Sequence, residues 1–179
     1  GGGDAAFGII QDFRLSSTKV YAAAMQTLAR QCGKARGGLA RMLDVHKQAR
    51  CNLLEAELDA VLLAGMEVLV NELHDAKSAE KLLPKLVSNR ARVRGQALCG
   101  QFKAAYMGAA KDNLIDEMEY VLSLAEGKDP TNAERCRQYL QVHAPLPVPT
   151  RTPSTSTSSS VSAPSATISL TACLCWLLA

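Results

Sequence analysis

Between residues 5 and 143, apolar side chains return every third or fourth position, and no convincing stretch alternates at every second residue. That period places side chains on one face of a helix and is wrong for a strand. "DAAFGIIQDF" predicts a short helix over 4–13. Ser16 or Ser17 then caps a helix reaching about Cys32, with Val20, Ala24 and Leu28 along one face. "CGKARGG" marks a turn, and a short helix follows through Leu39, Met42 and Leu43. "AELDAVLLAGMEVLVNEL" predicts a helix buried on most sides and ending near Leu73, and "SAEKLLPKLV" a shorter one perturbed by Pro84. A long helix of about six turns is predicted over 89–113. "LIDEMEYVLSLAEG" makes another, stopped by Gly127, and Asp129 with Pro130 opens a last one over "PTNAERCRQYLQVH". Seven or eight helices in short-looped pairs imply an all-α fold of stacked antiparallel hairpins. No fixed repeat period is visible, so any repeats are degenerate.

The stretch "NRARVRGQALCGQFKAAYMGAAKDN" decides what such a stack is for. Wound as one helix, it puts Leu98, Phe102, Ala105, Tyr106 and Ala109 on one side and Val93, Ala97, Gly100, Ala104, Met107 and Gly108 on the other. Two narrow charged strips separate them, Arg90 with Arg94 and Arg92 with Lys103. A phosphate-gripping helix would instead gather its cations on one face. The expectation is a packing helix with a partner on each side. Its packing and interaction candidates are Val93, Ala97, Leu98, Gly100, Phe102, Ala104, Tyr106 and Gly108, and Gly100→Leu is expected to clash across the small-residue face. A basic helical nucleic-acid-binding module using Arg90, Arg92, Arg94 and Lys103 is the alternative.

Composition changes the picture at two places. After residue 143 a Pro/Ser/Thr-rich run begins, unable to bury enough apolar surface to offset its ordering entropy, so 144–179 is expected to be a disordered tail and 5–143 the folded unit. The apolar end of that tail, 168–179, is short for a membrane anchor, which needs about 20 residues. A net charge of +3 is too small for a dedicated nucleic-acid binder. The six cysteines and three histidines show no paired metal-ligand spacing, so neither metal nor other cofactor is expected in this chain. With no signal sequence, the thiols are expected to be reduced and buried as small apolar groups in a cytosolic protein. The start "GGGD", without Met, suggests a piece of something longer. Carboxylates such as Glu55, Glu57 and Asp59, or Asp116, Glu117 and Glu119, are expected on solvated helix faces. No phosphate loop, catalytic carboxylate pair or Cys/His couple stands out, so no enzyme activity is expected.

"IIQDFRLSSTKVYAAAMQTLARQ", "EVLVNELHDAKSAEKLLPKLV" and "RVRGQALCGQFKAAYMGAAK" together resemble the C-terminal helical region of the spastizin family, the zinc finger FYVE domain-containing protein 26 family. The residues that carry most of the likeness are Ile10, Gln11, Phe13, Leu15, Val20, Tyr21, Val93, Arg94, Lys103, Ala105, Tyr106 and Lys111. The resemblance implies a tetratricopeptide-like (TPR-like) α-solenoid segment of a large scaffold. It further implies partners in a spatacsin-like protein and the fifth adaptor-protein complex, with indirect membrane association on late endosomes and lysosomes. Roles in autophagic lysosome reformation and in cytokinesis at the midbody follow by the same likeness, as does a centrosomal location. Zinc and phosphatidylinositol 3-phosphate would belong to an upstream FYVE finger, whose paired cysteines this chain lacks.

Overall fold

The computed structural model describes residues 16–32 and 37–143. The short helix expected over 4–13, most of the turn after Cys32 and the tail of 144–179 lie outside the described residues. Within them the chain forms helix α1 (Ser17–Cys32), α2 (Gly38–Arg50) and α3 (Glu55–Glu67), the last running directly into a π-helical turn (Val68–Glu72). A single-turn α4 (Ala76–Glu80) and a 3-10 turn (Leu83–Lys85) lead to α5 (Asn89–Leu98), α6 (Phe102–Lys111), α7 (Ile115–Ala125) and α8 (Pro130–His143). No strand is present among the described residues.

Several boundaries have a local cause. The Glu57 carboxylate reaches back to accept the Leu54 N–H (3.0 Å), satisfying a donor that the first turn of α3 leaves open. Asp75 accepts from the Ser78 N–H (3.0 Å) at the head of α4, and Ser88 from the Ala91 N–H (3.2 Å) at the head of α5. Pro84 sits in the 3-10 turn, where its missing N–H costs no ladder bond. Helix α2 runs further than the sequence pattern suggested, because Val45, His46 and Ala49 extend the buried stripe begun at Met42. Beyond α3 the π turn ends on Glu72, which takes both Arg30 nitrogens from α1 at 2.8 Å each.

The helices pair as successive hairpins: α1 with α2, α3 through its π turn with the shortened α4, α5 with α6, and α7 with α8. The first helices of the hairpins also touch in chain order, α1 on α3, α3 on α5 and α5 on α7, while α6 meets α8. This is the nearest-neighbour packing of a solenoid, in which each unit buries its apolar face only against the next. Two buried clusters result. One joins Met25, Leu28, Met42, Leu62, Met66, Leu69 and Leu82 from the first two hairpins, and the other joins Val93, Phe102, Met118, Val121 and Cys136 from the last two. Helix α5 belongs to both.

Candidate functional site

The site is built around α5 and the turn that follows it. Where one continuous helix was expected over 89–113, the structure has two, broken at Cys99, Gly100 and Gln101. Gly100 adopts φ +80°. Its N–H donates to the Ala97 carbonyl (3.0 Å) and the Gln101 N–H to the Gln96 carbonyl (2.9 Å). This pair of bonds closes a helix end on a left-handed residue, a conformation cheap for glycine. The chain then folds back, and α6 packs on α5 and not beyond it.

The break redistributes the sequence-derived candidates. On α5, Val93 and Ala97 enter the second cluster while Leu98 enters the first. On α6, Phe102 lies in the second cluster beside Val93, not on Leu98's face, because the helix axis has reversed. Tyr106 is half-buried at the edge of that cluster, its ring edge-on to Tyr139 with centroids 6.3 Å apart. Gly108 does permit a close approach, since a Cβ there would stand 2.9 Å from a Val93 methyl. Gly100 and Ala104 do not serve as packing positions: both are exposed, and nothing lies within 4 Å of where a Gly100 Cβ would be. The anticipated clash for Gly100→Leu therefore has no neighbour to clash with. The tight position on α5 is Gly95, where a Cβ would meet methyls of Leu83 and Leu86 at 2.8 Å each.

Two carboxylates expected on solvated faces are buried. Asp59, on α3, accepts the N–H groups of Val87 and Ser88 at 2.8 Å each, pinning the loop that leads into α5. Glu117, on α7, is held by Arg90 (3.1 Å) and Arg94 (3.3 Å) from α5, and Arg90 also reaches Asp116 (3.2 Å). The Arg94 guanidinium lies 5.5 Å from the centre of the Tyr120 ring. Sequence alone missed both carboxylates, since the partners lie 28 and 27 residues away along the chain. The one local signal was Glu117 in the first turn of a helix on the same side as Met118 and Val121.

These bonds also remove the basis for a nucleic-acid face. Arg90 and Arg94 are committed to Glu117, Arg92 reaches the Leu86 carbonyl (3.4 Å), and Lys103 stands on the other helix. The cations do not converge.

What the hairpin leaves open is a groove of about 450 Å³ lined by Gly100, Gln101, Phe102, Lys103, Ala104 and Met107, with Asp129 and Asn132 from the start of α8. Met107 is 59% exposed there, one of few large apolar side chains left to solvent. Asp129 caps α8, and its hydrogen bonds from the Asn132 side chain and backbone hold its carboxyl below the ordinary range. The groove therefore has an apolar floor and a fixed carboxylate. It holds no nucleophile with an adjacent base. The four described thiols are free. Burial raises Cys99 and Cys136 to about 11, which keeps them protonated and unreactive near neutrality. Cys51 is exposed, contrary to the expectation that every thiol is packed away.

Residues 16–141 match the family model described as "ZFYVE26-like, TPR repeats". A Dictyostelium discoideum protein is 31% identical over 117 residues, 64% of this chain, and the chain spans only 4% of that protein's length. No solved structure matches.

Proposed function

This chain belongs to the ZFYVE26-like TPR-repeat family, and from that premise we propose that it is a non-catalytic docking segment of an endolysosomal trafficking scaffold. The carrying observation is the groove between α6 and α8, where Met107 and Ala104 are left exposed over the buried Phe102. Helical-repeat stacks present such surfaces to other proteins, because nearest-neighbour packing leaves their flanks free.

The partners in this reading are a spatacsin-like protein and the fifth adaptor-protein complex, and the place is the cytosolic face of late endosomes and lysosomes. Work in autophagic lysosome reformation and at the midbody belongs to the same proposal. The segment acts without a cofactor, and lipid recognition through phosphatidylinositol 3-phosphate is left to a FYVE finger in the longer protein. Among the described residues no helix is long and apolar enough to cross a membrane.

The experiment is retention on the immobilised full chain. Recombinant spatacsin-like protein and the adaptor subunits are applied separately, with an unrelated helical-repeat protein as control. Retention of at least one above control is expected. If every one passes through as the control does, the docking assignment is wrong.

A further inference from the structure

Taking the chain as a docking segment, the charges around the groove define its occupant. The floor is Phe102, Ala104 and Met107. The one carboxylate in the lining, Asp129, is already engaged: its two oxygens accept from the Asn132 N–H (3.1 Å) and the Asn132 side-chain amide (2.6 Å), at the helix end whose partial positive charge it offsets. The cations are not engaged. Lys103 lines the groove, Lys111 stands one turn past Met107 on the same exposed stripe of α6, and Lys128 precedes Asp129; all three are exposed. Among the described residues none of these lysines has a carboxylate within ion-pairing distance, whereas Arg30, Arg90, Arg94 and Arg137 each do. The surface thus combines an apolar floor with three exposed lysines that no described carboxylate pairs, against the single, hydrogen-bonded Asp129.

We propose that this groove binds an acidic amphipathic segment of a partner protein. One large aliphatic or methionine side chain of that segment sits against Met107 and the Phe102 edge, and its flanking carboxylates face Lys103, Lys111 and Lys128. Burial of the apolar anchor supplies affinity, while the rim charges steer the encounter and fix the register. A nucleic acid would use the same lysines but finds no stacking platform, because Phe102 is only 5% exposed and Met107 offers no ring. The observations therefore favour a protein ligand.

The test uses the full chain and a short fluorescent helical peptide with leucines on one face and glutamates flanking them. A version with glutamine for glutamate and a labelled oligothymidylate serve as comparisons. By anisotropy, the glutamate peptide is expected to bind and to weaken about tenfold when its glutamates are replaced. A similar loss is expected on Lys103→Glu with Lys111→Glu, and separately on Met107→Ser. These positions are exposed, so circular dichroism should be unchanged. Equal affinity for both peptides, variants that bind as the parent does, or tighter binding of the oligonucleotide would each overturn the proposal. A variant combining Lys103→Glu, Lys111→Glu and Met107→Ser is then placed in the retention assay. If parent and variant retain a partner alike, docking occurs elsewhere: the groove inference falls and the scaffold reading stands. If neither retains any, both fall.

Discussion

Among the described residues, His46 carries a buried side-chain nitrogen that no donor or acceptor reaches. It lies on α2 at 7% exposure, and the nitrogen is Nε2. Burial first, then Arg50 on its own helix and Lys85 in the 3-10 turn, push its pKa below the ordinary 6.5, with Asp59 on α3 opposing. Asp59 cannot turn fully to it, since both carboxylate oxygens already hold the Val87 and Ser88 N–H groups. A depressed histidine pKa means the unfolded chain binds the proton first as pH falls. The full stability is therefore present above 6.5 and is lost progressively below it, until the folded pKa is passed. Thermal melts of the parent and of His46→Leu across pH 7.5 to about 5 check this. The parent should lose ground to the variant on acidification. Parallel curves would show that His46 is ordinarily solvated.

At the scale of elements, two glycines five residues apart do opposite work. Gly100 closes α5 in a left-handed conformation with open space around it, so any side chain is strained by about 1–2 kcal/mol whatever its size. Gly95 lies inside the helix against Leu83 and Leu86, so alanine there trades better helix propensity, about 1 kcal/mol, against crowding. Urea midpoints should thus fall alike for Gly100→Ala and Gly100→Leu. For Gly95 they should change little with Ala and drop sharply with Leu. A strong size dependence at 100 would sink the helix-end reading and restore the continuous helix. The sequence showed the heads of α1 and α8 plainly, because Ser16 or Ser17 and Asp129 signal a start by their own chemistry. The break at Gly100 was not legible: a glycine that ends a helix and one that admits a neighbour look identical in a local pattern. Only the position of Leu83 and Leu86, in and just after the 3-10 turn, tells them apart.

Across the whole molecule, α5 is the shared wall of both buried clusters, with Ala91 and Leu98 turned into one and Val93 and Ala97 into the other. Asp59 ties its leading loop back to α3, and Glu117 ties its side to α7. Damage to α5 should therefore travel both ways. Val93→Ala, at a site with no exposure, is expected to cost about 1–3 kcal/mol while leaving a single calorimetric transition. Amide exchange should quicken in α1–α3 as well as in α6–α8. Loss of protection confined to the latter would mean that the hairpins unfold independently, as weakly coupled repeats do.

Apolar periodicity and capping chemistry act within a few residues, so the sequence by itself determined an all-helical chain and the starts of its first and last described helices. The likeness of three helical blocks carried the family. Tertiary structure alone decided that the chain reverses at Gly100, that Asp59 and Glu117 are buried, and that Ala104 and Met107 face a groove instead of a neighbouring helix. Each of these depends on groups far apart in the chain that meet only once the hairpins stack. A carboxylate remains buried only where distant donors reach it, and an apolar side chain remains exposed only where no later helix covers it.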